Sequence, residues 1–431
     1  MIQQIIFIIL LGAGGFLAWK RFQFVRRNIL LGRDVKMEGE SSERWGTMIR
    51  VALGQGKMFT RPVAAIFHLF LYAGFVIINI EVVEIILDGI LGQHRLFHGL
   101  GGFYNFLIAS FEILAFLVIV GCVVFLWRRN VAKLARFQWR EMTKWPKTDA
   151  NIILFTEIAL MSAFLLMNAA ESILAVRGAD HFVNMGTLPI SQFLVPFLNG
   201  NSDGMLLFVE RFCWWFHIIG ILAFIVYLSY SKHLHILLAF PNTYYSKLRP
   251  AGALDNMSNV TNEVKLMMDP SAQVTEDPLA PKKFGAKDVT DLSWVQLMNA
   301  YSCTECGRCT SNCPANQTGK LLSPRKIMMD TRDRLEEVGK CMDAGVAYDN
   351  KSLLGDYITF EELWACTSCN ACTEACPINI NPLEIIIDLR RYLMMEESQS
   401  PESITTMLTN IENNGAPWAF SQADRGNWTQ E

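Results

Sequence analysis

Cys303-Thr304-Glu305-Cys306-Gly307-Arg308-Cys309-Thr310-Ser311-Asn312-Cys313-Pro314 puts four cysteines into twelve residues, and Cys366-Thr367-Ser368-Cys369-Asn370-Ala371-Cys372-Thr373-Glu374-Ala375-Cys376-Pro377 repeats the spacing. Three thiolates spaced two residues apart can wrap one face of an iron–sulfur cube. The fourth, followed by proline, is led away toward the other cube. The expected ligand sets are therefore crossed: Cys303, Cys306, Cys309 and Cys376 on one 4Fe–4S cluster, and Cys366, Cys369, Cys372 and Cys313 on the other. A structural zinc site needs only four ligands, usually from two CxxC pairs, and the duplicated pattern far exceeds that. The 52 residues between Cys313 and Cys366 are too many for a compact bacterial ferredoxin. Much of that insert reads as helix (Pro324–Asp343), which predicts the helical ferredoxin type. Cys122, Cys213 and Cys341 complete the 11 cysteines and read as apolar filler. Clustered cysteines at this low overall density indicate metal binding in a reducing compartment, not a disulfide scaffold.

Outside these clusters the chain is unusually apolar. Of 431 residues, 51% are hydrophobic and 18% charged, with a mean hydropathy of +0.23. That composition excludes disorder, and a formal charge of −3 offers no basic field for nucleic acid. Five apolar stretches reach the roughly 20 residues a bilayer requires: about 2–19, 62–87, 104–127, 150–176 and 205–231. Glu81, Glu84, Glu112, Glu157 and Glu171 lie within them as candidates for proton paths or quinone hydrogen bonds, although acids near span ends commonly snorkel or pair. The first stretch carries its positive charges after the apolar run, at Lys20, Arg21, Arg26 and Arg27. This is the reverse of a signal peptide's order, so it reads as a retained span. Ten Lys/Arg fall in 20–61 and seven in 128–149, against one each in 88–103 (Arg95) and 177–204 (Arg177). The positive-inside rule then puts the N-terminus outside and everything after Lys232 in the cytoplasm.

The expected organisation is a mainly α protein. Residues 1–240 form a five-helix transmembrane haem b domain, and 241–290 are a linker with Pro250, Pro270, Pro278 and Pro281. Residues 291–400 form an α-helical dicluster ferredoxin domain, and 401–431 a tail. Segment 36–58 reads equally as an amphipathic surface helix or a plain loop. Ser293 with Gln296 fits a capping box, and Asn381-Pro382-Leu383-Glu384 opens a helix running to Met395.

Histidines inside spans are functional candidates by default. His68 lies in the second span and His217 in the fifth. His217 and His235 are 18 residues apart, five full turns, so on one continuous helix they share a face about 27 Å apart along the axis. That is the ladder a di-haem cytochrome b uses. His68 pairs by depth with His235 on an inner haem b. His217 would hold an outer haem b, with His98 as the preferred partner and His94 as the alternative; the competing reading is a single, inner haem. His233, two positions from His235, is expected to point elsewhere, at the surface.

Together these pieces resemble membrane iron–sulfur proteins related to heterodisulfide reductase, with an N-terminal half similar to the cytochrome b subunit of respiratory nitrate reductase. The resemblance rests on Leu53-Gly54-Gln55, His68 with Gly74-Phe75, Trp214-Trp215-Phe216-His217, Ser231-Lys232-His233-Leu234-His235-Ile236, Asp291-Leu292-Ser293-Trp294 before the first cysteine cluster, and Asn414–Trp428 with Arg425. It implies His68 and His235 on the haem nearer the iron–sulfur domain and His217 on the outer one. Ile78 stands where that subunit carries a second span-two histidine. The cysteine-rich CCG domains of fused family members are not found before Glu431. The chain is therefore not expected to reduce disulfides by itself. A separate cytoplasmic redox subunit is implied, of CCG type or an electron-transferring flavoprotein. The function this implies is electron transfer between that partner, two 4Fe–4S clusters, haem b and a quinone, menaquinone being the expected one, at the bacterial inner membrane. A membrane anchor or wiring subunit, or a redox sensor, without its own quinone site is the competing reading. Scattered acids without Gly/Pro-broken spans speak against an ion transporter.

Overall fold

The computed structural model describes residues 1–250, 252–274, 283–346 and 350–430. Pro278 and Pro281 of the expected linker lie outside the described residues. The described chain is helical, with no strand and only two isolated bridges. It folds as two compact units.

The first unit comprises Met1–Arg27, Arg44–Tyr244 and Tyr301–Gly307. Its five long helices are α1 (Ile2–Ile29), α2 (Pro62–Leu91), α3 (Gly102–Asn130), α4 (Lys144–Val176) and α5 (Asp203–Leu228). All five are long and apolar enough to cross a membrane. α2 starts on Pro62, where a missing N–H costs nothing, and stops at Gly92, whose left-handed conformation (φ 69°) lets its N–H return to the Asp88 carbonyl. α4 is the central helix, packed against α5 and α3, and α2 packs on α3. Small residues allow that last approach: a Cβ on Gly74 would meet Val118 at 2.4 Å, and one on Gly121 would meet Leu71 at 2.4 Å. Ile108, Phe111, Ala115, Val118, Phe164 and Met167 fill the core between them. The outer faces carry Ile9, Phe16, Phe106, Phe155, Phe208 and Phe212, the apolar exterior that lipid requires.

α5 does not continue to His235. It ends at Leu228, a turn follows, and Ser231 caps a short 3-10 segment, Lys232–Leu234, by accepting the His233 N–H. A separate helix, α6 (His235–Tyr244), begins at the histidine itself. The expectation that one helix face carries both His217 and His235 is therefore corrected, and with it the five-turn spacing along one axis.

The second unit comprises Asn28–Glu43, Tyr245–Ala300 and Arg308–Glu431. Its main helices are α7 (Arg308–Asn312), α8 (Pro324–Ala344), α9 (Ala371–Ala375), α10 (Pro382–Met395) and α11 (Glu402–Asn414). α8 is the predicted insert helix. Ser293 and Gln296 make the predicted capping box, and the Asn381 side chain accepts the Leu383 N–H at the start of α10. α8 buries Ile327, Met328, Leu335 and Val338, and α10 buries Leu383, Ile385, Ile386 and Leu389. In segment 36–58 a short helix, Ser41–Met48, runs into one wide turn, Ile49–Leu53.

Candidate functional site

The two cysteine motifs repeat in conformation as well as in spacing. In the first, Glu305 (φ 56°) and Gly307 (φ 70°) are left-handed; in the second, Ser368 (φ 56°) and Asn370 (φ 60°) take the same positions. A short helix follows each, α7 and α9, and each fourth cysteine donates its N–H to the threonine carbonyl three residues back, Thr310 or Thr373. Left-handed conformations at Glu305 and Ser368 cost energy, which marks a loop shaped for a ligand. Spacing alone does not reveal that strain.

Within the second unit, Cys313, Cys366, Cys369 and Cys372 line one cavity with Leu322, Pro324, Leu383 and Ile386. Cys313 and Cys372 are buried and Cys369 is exposed. Burial pushes the Cys372 thiol up to about 12 and raises those of Cys313 and Cys366 as well. A cationic core beside such thiols would favour their ionised form. Among the described residues no three His, Cys, Asp or Glu side chains approach closely enough to hold a single metal ion. The sulfurs surround a space instead of converging on a point, a donor set that suits a cluster better than a lone zinc. The Ser368 N–H points at Cys366 Sγ (3.4 Å), and the Ile380 N–H at Cys376 Sγ (3.3 Å). Hydrogen bonds to thiolate sulfur tune a cluster's potential. Arg390 lies over Trp364 and donates to the carbonyls of Leu363 and Cys366, tying α10 to this loop.

In the first unit, His68 and His235 face each other with ring centroids 6.5 Å apart. A metal bonded to one nitrogen of each at about 2.0–2.1 Å fits between them, the remainder of the span lying inside the rings. His68 Nδ1 donates to Gln55 Oε1 (3.3 Å), and His235 Nδ1 donates to the Lys232 carbonyl (3.1 Å). His217 does the same toward the Leu160 carbonyl (3.1 Å) and is buried against Phe164. In all three, Nδ1 is committed to a protein oxygen, an arrangement that orients an imidazole for metal ligation through Nε2. Gln55 closes the Leu53-Gly54-Gln55 motif, and only the fold brings its side chain to His68.

The remaining histidines differ. His94 uses Nε2 against Glu171 (2.9 Å). His98 stands edge-on to Tyr104, with ring centroids 6.0 Å apart, and among the described residues no ring contact joins it to His217. His233 does not stand free at the surface as expected. It packs on Phe224 and, 5.5 Å away, on the His235 ring, and burial lowers its basicity to about 3. The break after α5 turns it inward. Lys232 links this region to the first cysteine motif: it donates to Glu305, between Cys303 and Cys306, and to the Pro146 carbonyl (2.7 Å), while its own carbonyl holds His235.

Residues 302–380 match the 4Fe-4S dicluster domain family. The chain is 29% identical to a Bacillus subtilis protein named a probable iron-sulfur-binding oxidoreductase, over 94% of this chain and 57% of that protein. It is 25% identical to the EtfAB:quinone oxidoreductase of Syntrophomonas wolfei, over 96% of this chain and 57% of that one. A probable membrane-anchored ferredoxin of Chromohalobacter salexigens is 31% identical over 36% of this chain and 25% of its own length. The chain thus spans about 57% of the length of the first two relatives. Heterodisulfide reductase subunits also match, as the resemblance implied. No solved structure matches.

Proposed function

We propose that this chain is the membrane electron-transfer part of a quinone-linked oxidoreductase. Residues 1–240 would hold haem b, 291–400 two 4Fe–4S clusters, and 241–290 the connection between them. One cluster is assigned to Cys303, Cys306, Cys309 and Cys376, the other to Cys313, Cys366, Cys369 and Cys372. His68 and His235 are assigned to an inner haem. His217 belongs to an outer haem, with His98 as the candidate partner. When bound, these groups supply one-electron carriers between a cytoplasmic partner, such as an electron-transferring flavoprotein or CCG-type subunit, and menaquinone or another quinone. The bacterial inner membrane, N-terminus outside, is the proposed setting.

The observation that carries the haem reading is the shared commitment of Nδ1 at His68, His217 and His235, with two of those rings at metal-bridging separation. The iron–sulfur reading is supported by the cavity lined by four cysteines and by the matching dicluster family. The quinone is supported by a relative whose name includes it. The match to a membrane-anchored ferredoxin favours the wiring-subunit reading as the alternative. A dithionite-reduced-minus-oxidised spectrum with extracted-haem quantitation tests the proposal. About two haems per chain support it in full and about one leaves the His68/His235 site, whereas none sinks the cytochrome reading. Reoxidation of the reduced haem by a menaquinone analogue then separates electron carrier from anchor.

A further inference from the structure

At the end of the first unit remote from His235, a charged network lies under the loops 92–101 and 177–202. Arg95, in a left-handed conformation and 4% exposed in its side chain, is the centre. It donates to both oxygens of Glu171 (2.8 Å at the closest), to Glu81 Oε1 (2.8 Å) and to Asn168 Oδ1 (2.8 Å). Asp88 accepts the N–H groups of Arg95 and Leu96; Glu84 accepts the Phe97 N–H and the Tyr104 hydroxyl. Glu112 accepts from Asn168 Nδ2 and from the N–H groups of Ile190 and Ser191. His94 reaches Glu171 from the rim, its side chain 18% exposed. From α5, Glu210 faces this end already paired with Arg211.

The charges do not balance. Five buried carboxyl groups, Glu81, Glu84, Asp88, Glu112 and Glu171, face one guanidinium and at most one imidazolium. If all ionised, the net charge would be 2 − 5 = −3 in a site shielded from water, and uncompensated buried charge is relieved by taking up protons. The hydrogen bonds show where a proton belongs. Asp88, Glu84, Glu112 and Glu171 each accept two or more donors. Glu81 accepts one, on Oε1, and its buried Oε2 has no partner among the described residues. A bare oxygen on a neutral carboxyl is tolerated where one on a carboxylate is not.

We propose that this network is a proton-binding site, with the proton on Glu81 and His94 as its contact with the aqueous phase. The site lies near the candidate outer ligand. Ile85, one turn from Glu81, packs with Ile218, the chain neighbour of His217. Oxidation of a hydroquinone releases two protons with its two electrons, and on the quinone reading above this site is placed to receive one. The proton site itself does not rest on that reading.

Infrared spectroscopy of the purified full chain in lipid nanodiscs tests it without haem, quinone or turnover. At neutral pH a carbonyl band of a protonated carboxylic acid is expected, shifting in heavy water and lost in Glu81→Gln but kept in Glu84→Gln. If Glu81→Gln does not fold, Glu81→Asp is expected to move the band. Absence of the band at neutral pH, or a band unchanged by either Glu81 variant, overturns the proposal. A band abolished by added sodium or potassium also overturns it, since the site would then hold a metal cation.

Discussion

The cysteine cavity and the Arg95 network both bury groups that resist burial, and they solve the problem in opposite ways. The cavity draws three of its four sulfurs from seven consecutive residues, and desolvation by burial raises its thiols beyond what Arg390 and the surrounding N–H groups lower them. On the proposed assignment, the compensating charge arrives from outside, as iron. The Arg95 network imports no such charge. It gathers α2, α3, α4 and two loops around one guanidinium. The first design is completed by assembly with a cofactor, the second by folding alone. The difference teaches where each will fail: a cluster site when its cargo is withheld, a charge network when its single cation is lost.

The contrast can be broken or sharpened by substitution. The largest expected effect is at the cavity: Cys372→Ser should lower non-haem iron from about eight to about four atoms per chain, with the haem spectrum retained, as read by non-haem iron analysis and absorption. Iron unchanged in that variant breaks the assignment of Cys372. Next, Arg95→Met strands Glu171 and Glu81 and is expected to cost ~3–5 kcal/mol, as for other broken buried pairs. Thermal unfolding in detergent measures it, and a loss below ~1 kcal/mol would mean that Arg95 does not hold the network. Third, His235→Ala should remove about one haem per chain and leave the cluster iron untouched, whereas His217→Ala should remove a different haem, distinguished by its potential in a redox titration. Identical residual potentials in the two variants would merge the two sites into one. The smallest effect is expected for Tyr104→Phe, which deletes one donor to Glu84 while Phe97 N–H remains, at about 1 kcal/mol on the same unfolding assay.

What the sequence could disclose follows the same division. The cysteines stand out as candidate ligands because three of each four lie within seven residues, and the proline after each fourth is the signal behind the crossed sets proposed above. Helix starts at Ser293 and Asn381 were legible for the same local reason. The strained conformations at Glu305 and Ser368 were not, because neither residue type signals a left-handed backbone. Glu81, Glu84, Glu112 and Glu171 stood out one at a time as acids in apolar spans. Their common partner did not: Arg95 is 76 positions from Glu171 and looked like a lone loop charge. The break at 229–234 had a signal in Ser231, a good helix cap followed by Lys232, but the apolar run on either side masked it.

That break has a consequence for how the two histidines can change over evolutionary time. On one continuous helix, inserting or deleting a single residue between them would swing the far imidazole by about 100° and ruin one site. With His217 inside α5 and His235 opening α6, the turn between them can absorb such a change. The two positions are indexed separately, one by the Leu160 carbonyl and the other by the Lys232 carbonyl. Each can therefore drift, or be lost, without dragging the other out of register.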